Sequence, residues 1–469
     1  MTIGSSLNTA LAGLQTASSG IDVTSRNIAN ANDSGYSRKT QVTSTSVDGA
    51  PYVDRVQRAV NAGLQRTSRD AASNVGRLDA LSRYASQLSV EFGTPSDATS
   101  LSTLTSSLGD TFVALAASPE SDTAYTEAVN AAQNLTTSIR GLYQRAQSVA
   151  TNAENELGEA VSSVNKDLQL INSLNTKILA TTNGDTTDLE DQRDQAIANV
   201  ASMLDITTFT RPDGGVSVYT KNGTALVDAQ ANTISAQQIA GTGPVQLLVE
   251  LGAGLSTSAQ ISPRSGAIKG LLEVINTTVP DIQSQLDSFA DTLTTSLNGV
   301  GVELFNDGGT TTYDSVSTPS QLYGYANRIA VNSTIVSAPT SIRDGNSATA
   351  LALGDTTFID AVVGVFQSSA LSFSGPGMSA TGSLAGAASG IITGQSNNQA
   401  HLKGDLDAEQ ATQTAIDALI SSESGVNLDA EFSHLLELQQ AYAANARIVS
   451  TTQSLFSTLM VAAGGPAIG

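Results

Sequence analysis

The two ends of this 469-residue chain both carry apolar residues at alternating steps of three and four. This heptad spacing is typical of helices that bury a narrow seam against a partner helix. The seam near the amino terminus consists of Leu7, Leu11, Leu14, Ser18, Ile21, Ser25 and Ile28. The seam near the carboxyl terminus consists of Leu428, Phe432, Leu435, Gln439, Tyr442, Ala446, Val449, Gln453, Phe456 and Met460. We therefore expect the two ends to pack together, so that the chain runs outward and returns.

A long helix is predicted between the ends. From Val129 to Ile178 apolar residues keep helical spacing, and residues 123–180 contain no Pro. At 1.5 Å per residue such a helix would be roughly 85 Å long. A rod of this length favours an elongated subunit.

The period changes to that of strands between residues 205 and 262. Turn sequences at Pro212–Gly215 and Asn222–Gly223 precede short alternating runs, which predicts two hairpins. Helical spacing returns at Ile268, and Pro280 predicts a kink or a new first turn. Residues 306–400 are rich in Gly, Ser and Thr and predict no single element, and helical character resumes after Gly404.

These patterns predict a mainly α-helical fold with β-rich insertions, elongated and multidomain. The expected divisions are a terminal coiled-coil inner domain (1–65 and 425–469), a helical bundle (66–204, 263–305 and 401–424), a separate β-rich insertion (205–262) and a mixed outer region (306–400).

Composition excludes several classes of function. The net charge is −21, which disfavours nucleic acid as a partner because phosphate binding needs a basic surface. Residues 1–83 differ from the rest, with nine Lys and Arg against six Asp and Glu, a net of +3. Such a segment can attract acidic parts of the same chain or of a neighbour. The absence of cysteine excludes disulfides and thiolate sites, and the sequence predicts neither a cleavable secretory signal nor a membrane-inserted segment.

Candidate chemical sites are few, and we expect no enzyme activity, cofactor or metal. His401 and His434 have no second imidazole at ligand spacing, and His434 is expected to lie packed or half-exposed on a helix. An acidic group consists of Asp185, Asp188, Glu190, Asp191 and Asp194. It lacks the spacing of a calcium loop, so we interpret it as a solvated helix start with Asp188 as N-cap, and calcium binding as the alternative.

Several motifs resemble those of a known family. Ser6–Leu14, Asn27–Asn32 and Gly35–Arg38 resemble the N-terminal signature of bacterial flagellar rod, hook and hook-associated proteins, and Ser424–Asp429 with Gln439–Arg447 resembles their C-terminal signature. Leu189–Gln195 is similar to an internal motif of the hook-associated proteins of the hook–filament junction. The tail 462–469 extends beyond the resemblance. The motif residues are Asn27, Ile28, Ala29, Asn30, Gly35, Tyr36, Asp191, Gln192, Arg193, Asp194, Asn427, Leu428, Gln439, Gln440 and Tyr442.

The resemblance implies a structural subunit that joins hook to filament outside the cell. It implies export of unfolded chains through the flagellar channel by the type III apparatus, and self-association in a ring or helical turn at the hook tip. Implied partners are the hook protein, a second junction protein and a cytoplasmic export chaperone at the C-terminal segment. A hook or distal-rod protein is the first alternative, and a flagellin-like protein with a catalytic insertion is the second.

The terminal seams are the candidate assembly interface. Isolated helices with narrow seams are marginally stable and gain stability from neighbours, although a helix pair within one subunit would also bury them. The candidate interface residues are Leu7, Leu11, Leu14, Ile21, Ile28, Leu428, Phe432, Leu435, Tyr442, Val449 and Phe456.

Overall fold

The structure is a computed structural model that describes residues 3–33, 35–181, 184–239, 243–251, 258–308, 313–315 and 317–462. The tail at 463–469 lies outside the described residues, as do Ser34 and Asn183.

Long helices dominate the chain, and short strands lie between them, which confirms the expected fold class. The helices are α1 (Ile3–Ala29), α2 (Ala62–Phe92), α3 (Leu101–Ala117), α4 (Asp122–Ala180), α5 (Thr187–Met203), α6 (Ala267–Glu273), α7 (Val279–Gly299), α8 (Tyr325–Arg328), α9 (Ser333–Ser337), α10 (Ser341–Asp344), α11 (Thr357–Gln367), α12 (Leu384–Ser424) and α13 (Leu428–Ala462). The strands are β1 (Lys39–Thr45), β2 (Pro51–Arg58), β3 (Ile206–Thr210), β4 (Val216–Thr220), β5 (Ala225–Val227), β6 (Thr233–Gln238), β7 (Val245–Glu250), β8 (Ser258–Ile261), β9 (Phe305–Asn306), β10 (Ala330–Val331), β11 (Leu371–Ser372) and β12 (Thr381–Gly382).

The predicted long helix is α4, with 59 residues. Its first turn is capped by Ser121, whose hydroxyl accepts a hydrogen bond from the Ala124 N–H at 3.3 Å. The apolar seam from Val129 to Ile178 is buried along almost its whole length, against α3, α5, α6 and α7. A π-helical turn, Val274–Thr278, joins α6 to α7 beside Pro280, which confirms the expected irregularity there.

The segment 205–262 folds into two three-stranded antiparallel sheets, in the orders β3-β4-β5 and β6-β7-β8. Both predicted turns are present, and each places its Gly in the left-handed region, with φ of +86° at Gly214 and at Gly223. The strand residues Val218, Leu226 and Val249 belong to the same apolar core cluster as α4.

Three asparagines fasten these sheets to the helices. Each side-chain amide donates to the carbonyl of one strand residue and accepts from the same residue's N–H, at distances of 2.8–3.0 Å. The pairs are Asn165 with Ile234, Asn175 with Val216, and Asn276 with Val245.

Asn175→Ala should therefore lower the free energy of unfolding by about 2–4 kcal/mol. The substitution leaves the N–H and carbonyl of Val216 without their partner, and it also removes one of the two acceptors of the buried Arg193 guanidinium. Urea unfolding followed by circular dichroism measures the change. The exposed Ser173→Ala, on the same helix, is the control, and equal stability of the two variants would contradict the fastening role.

The region 306–400 contains short helices and two-residue strands followed by the first part of α12. The expected return of helix after Gly404 is wrong, since α12 begins at Leu384. Glycines at 386, 390 and 394 weaken the helical pattern there. The Ser383 hydroxyl nevertheless caps the helix by accepting from the Gly386 N–H, and Leu384, Ile391 and Ile392 are buried. The rest of α12 runs along α2.

Candidate functional site

The two terminal helices pack against each other, as the fold class predicted. Gly13 lies against Asn445, Gly20 lies against Leu438, and the Asn27 amide donates to Glu431 at 3.1 Å. Residue n of α1 therefore lies opposite residue 458 − n of α13, and the two helices are antiparallel.

Small residues form the face of α1 that contacts α13. Ala10, Ala17 and Gly20 are buried there. At Gly13 a Cβ atom would come within 2.8 Å of the Asn445 side chain. The helices thus approach closely but bury little apolar surface in their contact.

The predicted apolar seam of α1 lies on a different face of the helix from the one that contacts α13. It is displaced by one residue from the contact with α13, which corresponds to a rotation of about 100°. Leu7, Leu14, Ile21 and Ile28 are half-buried, and Leu11 is 47% exposed. On the opposite side of the contact face, the β1–β2 hairpin packs on α1, where the Gln41 amide donates to the Thr16 carbonyl at 3.1 Å.

The predicted seam of α13 lies partly in the contact and partly outside it. Leu435, Ala446 and Val449 are half-buried, whereas the other candidate interface residues of α13 are exposed. These are Leu428, Phe432, Tyr442 and Phe456. Phe456 lies beyond the register of α1, because its opposite position would be residue 2 and the described part of α1 begins at Ile3. Its side chain is 52% exposed.

Motif residue Asn27 lies at the other end of the helix pair and is 1% exposed. Its amide nitrogen donates to the Lys39 carbonyl at 2.8 Å as well as to Glu431. Its oxygen accepts from the Lys39 N–H at 3.0 Å and from the Tyr36 hydroxyl at 2.9 Å. All hydrogen-bonding groups of Asn27 are therefore engaged, and one side chain ties α1 to the start of β1 and to α13.

The acidic group at 185–194 lies at the start of α5 and faces the hairpin. Lys39, whose side chain is fully buried, contacts Asp188 and lies 3.3 Å from Asp191. Its ammonium also lies 4.2 Å from the centre of the Tyr36 ring. The expectation of a solvated helix start is wrong, because these carboxylates pair with buried cations. Asp188 is not the N-cap either, since α5 begins at Thr187 and Thr186 precedes it.

Arg58 at the end of β2 binds the same group. Its guanidinium lies 2.9 Å from Glu190 and 2.8 Å from both Asp191 and Asp194. Burial alone would lower the pKa of Arg58, but the neighbouring carboxylates outweigh it and the pKa is raised. At the edge of the cluster, burial would raise the pKa of Asp185, but hydrogen bonds from Thr187 and from Arg26 lower it.

The other motif residues fall into two groups. Some have structural contacts: the buried Arg193 donates to Asn175 at 3.1 Å and to the Gly214 carbonyl at 2.9 Å, and Asn427 caps α13 by accepting from the Ala430 N–H. Gly35 donates its N–H to Asp33, and Asn30 donates to the Arg26 carbonyl. The exposed motif residues are Ala29, Gln192, Gln439 and Gln440, together with Asn427, Leu428 and Tyr442.

Sequence reasoning missed the cations of this cluster, Arg26, Lys39 and Arg58. The net positive charge of residues 1–83 was the available signal. The carboxylates that pair with these cations lie on α5 and just before it. Periodicity alone does not show which distant segment of the chain a strand will contact.

Other candidate groups show no convergence on a reaction centre. His401 and His434 are both exposed, and His434, with 57% of its side chain exposed, has the expected half-exposed position on a helix. Within the described residues, no group of His, Cys, Asp and Glu is arranged to hold a metal ion. None of the helices described has the length and apolar character needed to cross a membrane.

Comparisons with known proteins agree with the motifs. A family model described as the helical domain of flagellar hook-associated protein FlgK matches residues 85–311, and the model of the C-terminal region of flagellar basal body rod FlgEFG protein matches residues 420–460. Flagellar hook-associated protein 1 of Escherichia coli (strain K12) is 22% identical over 98% of this chain and 100% of that protein. The protein of the same name from Bacillus subtilis (strain 168) is 23% identical over 97% of each chain.

A solved structure of the flagellar hook junction protein FlgK from Burkholderia pseudomallei is 19% identical, with a TM-score of 0.47. The match covers 53% of this chain and 45% of that one. The family models and the relatives matched from end to end show that this chain is similar to flagellar hook-associated protein 1.

Proposed function

We propose that this protein is a structural subunit that joins the flagellar hook to the filament through its terminal helices. The observation that carries the proposal is the apolar surface of the α1–α13 pair. Large side chains on α13 remain exposed along its whole length. They are Leu428, Phe432, Leu436, Tyr442, Ile448, Leu455, Phe456, Leu459, Met460 and Val461. An apolar surface of this extent marks an interaction site.

The two predicted seams lie on the same side of the helix pair. On α1 each seam residue follows a residue of the contact face by one position, as Leu11 follows Ala10. On α13 the seam is offset from the contact face in the same direction, as Phe432 follows the buried Glu431. In an antiparallel pair equal rotations point to one side, so the seams border a common groove. Such a groove fits an apolar helix of a neighbouring subunit.

The proposed neighbour is a second copy in a ring or helical turn. A groove on one copy that accepts a different surface of the next gives heterologous contacts, which form rings or helices. Burying a fully exposed Leu or Phe side chain contributes roughly 1.5–3 kcal/mol. These side chains are already partly buried in the monomer, so each gains less than this on assembly. Several such contacts together are needed for stable assembly.

The proposal also includes further partners, which the family resemblance implies. The hook protein and a second junction protein would contact the subunit below and above. A cytoplasmic export chaperone would cover the apolar C-terminal segment before export of the unfolded chain. We also infer a structural and not a catalytic role, and a location outside the cell.

Antibody labelling of isolated hook–basal bodies tests the location. We expect label at the distal end of the hook, where the filament begins. Label along the hook would instead assign a hook protein, and label below the hook a distal-rod protein. The second alternative, a flagellin-like protein with a catalytic insertion, would require an enzyme activity that persists in variants without the terminal seams.

The terminal segments of the free monomer, within 1–40 and 425–469, should be sensitive to protease and should become protected on assembly. Contact between small residues gives the pair little stability on its own. We expect the cuts away from the α5 ion pairs, in about 3–20 and 440–462. Limited proteolysis of monomer and of assembled junctions, read by mass spectrometry, measures this. Equal protection in a dilute monomer would contradict it.

A further inference from the structure

The terminal unit, defined as α1, the β1–β2 hairpin and α13, does not share the apolar core of the molecule. Among the described residues, the core cluster and the side chains packed against it begin at Ala80 and end at Leu402. The buried apolar residues of the terminal unit include Ala17 and Val23 of α1, and α1 packs on α13, β1 and β2. Hydrophobic burial therefore does not fix this unit to the helical bundle, which consists of α2 to α7 and α12.

Ion pairs and hydrogen bonds make the attachment to α5 instead. The terminal unit supplies three cations, and α5 with the residues before it supplies five carboxylates. These groups are Arg26, Lys39 and Arg58, and Asp185, Asp188, Glu190, Asp191 and Asp194.

Asp191 is the centre of this contact. Its carboxylate accepts from the Ser37 hydroxyl at 2.6 Å and from Arg58 at 2.8 Å, and it lies 3.3 Å from the Lys39 ammonium. The side chains of Lys39, Arg58 and Asp191 are at most 13% exposed. Charges in such a setting are costly to leave unpaired, so loss of one partner weakens the contact strongly.

The covalent connections at this boundary are short. Residues 59–61 join β2 to α2, and residues 425–427 join α12 to α13. The Arg38 N–H donates to the Ser424 carbonyl at 2.9 Å, and the Asn61 amide donates to Glu423 at 3.1 Å. The two connections therefore cross the boundary next to each other, which is the arrangement expected of a two-segment hinge.

We propose that the carboxylate cluster of α5 is an ionic dock for the terminal unit. While the dock is closed, it orders the hairpin and the adjoining ends of α1 and α13. When it opens, the unit turns about residues 59–61 and 425–427, and the apolar core of the bundle is undisturbed. The terminal unit then takes the orientation that its neighbours in an assembly impose.

Amide hydrogen exchange on the full-length monomer tests the dock. Lys39→Met and Asp191→Asn should each raise exchange in residues 23–58 by at least about tenfold, while peptides of α4 and α7 remain at the wild-type rate. Asp188→Asn removes a more exposed partner of Lys39 and should give a smaller rise. Glu156→Gln is the matched control, because it breaks an ion pair between α2 and α4, with Arg83, away from the dock. It should leave residues 23–58 unchanged.

Two outcomes would overturn the proposal. Faster exchange throughout α4 in the dock variants would show that the cluster is part of the bundle's own stability. Unchanged exchange in 23–58 would show that other contacts hold the unit. The measurement needs no assembly, so its failure is separate from any failure of the proposed junction role.

Discussion

Phe456→Asp should abolish assembly at the hook tip and leave the monomer folded. Phe456 is half-exposed and lies beyond the described start of α1, so its replacement costs the monomer little. In an assembled groove the carboxylate would be buried without a partner, at a cost of several kcal/mol. We expect short or absent filaments, flagellin shed into the medium, and the variant recovered there as monomer.

Leu11→Asp should have the same effect from the other helix. Leu11 is the most exposed apolar residue of the predicted α1 seam, and it lies on the same side of the pair as Phe432. By contrast, Leu435→Asp is a poorer test, because Leu435 is half-buried within the α1–α13 pair. That substitution would disturb the monomer as well as the assembly.

Matched controls exist on both helices. Thr458 is exposed and lies two residues after Phe456, which is about 200° around α13. Gln15 is exposed on a polar side of α1. Thr458→Asp and Gln15→Asp add the same charge outside the groove and should support normal filaments. Filaments of normal length on Phe456→Asp or Leu11→Asp subunits would show that the seam is ordinary surface.

Periodicity predicted the elements whose packing is regular. The seam of α4 is buried almost throughout because helix neighbours cover one face of it along its length. The hairpins were predictable because their turns need residues that tolerate positive φ, and Gly214 and Gly223 supply them. In both cases the local sequence determines the local structure.

The contact face of the terminal pair could not be predicted in the same way. Apolar periodicity identifies Leu and Ile, whereas the face of α1 that meets α13 consists of Ala and Gly, which allow the helices to approach closely. The most apolar face thus faces away from the partner within the subunit. In the proposed assembly, these largest apolar side chains would contact neighbouring subunits.

The ionic dock and the true start of α12 depend on tertiary contacts. Nothing near Lys39 in the sequence indicates that Asp188 and Asp191 will lie beside it. Likewise, glycines weaken the helical pattern in the first turns of α12. Burial of Leu384 and Ile391 against the bundle outweighs the low helix propensity of these glycines. Motif resemblance marked Asn27, Tyr36 and Asp191, and the structure supplies the reason they occur together.

Asn27→Ala should destabilise the terminal unit by about 3–5 kcal/mol. It removes four hydrogen bonds and leaves the N–H and carbonyl of Lys39 and the buried Glu431 carboxylate without a partner. Amide exchange in residues 23–58 and at the start of α13 measures the loss. Asn30→Ala removes only a bond to the Arg26 carbonyl and should cost about 0.5–1.5 kcal/mol.

Asn27→Asp separates charge from volume at the same site. The new carboxylate would lie about 3 Å from that of Glu431, where the wild-type amide donates, so the shared pKa of the pair would rise above that of free carboxyl groups. A raised pKa in the folded state means that stability is retained at low pH and lost as pH rises through the raised value. The variant should therefore resemble wild type near pH 4 and approach Asn27→Ala at pH 7. Asn27→Ala lacks the second carboxyl and should not be rescued by acid. Equal protection of Asn27→Asp at both pH values, after correction for intrinsic exchange, would show that Glu431 does not face residue 27 as the structure has it.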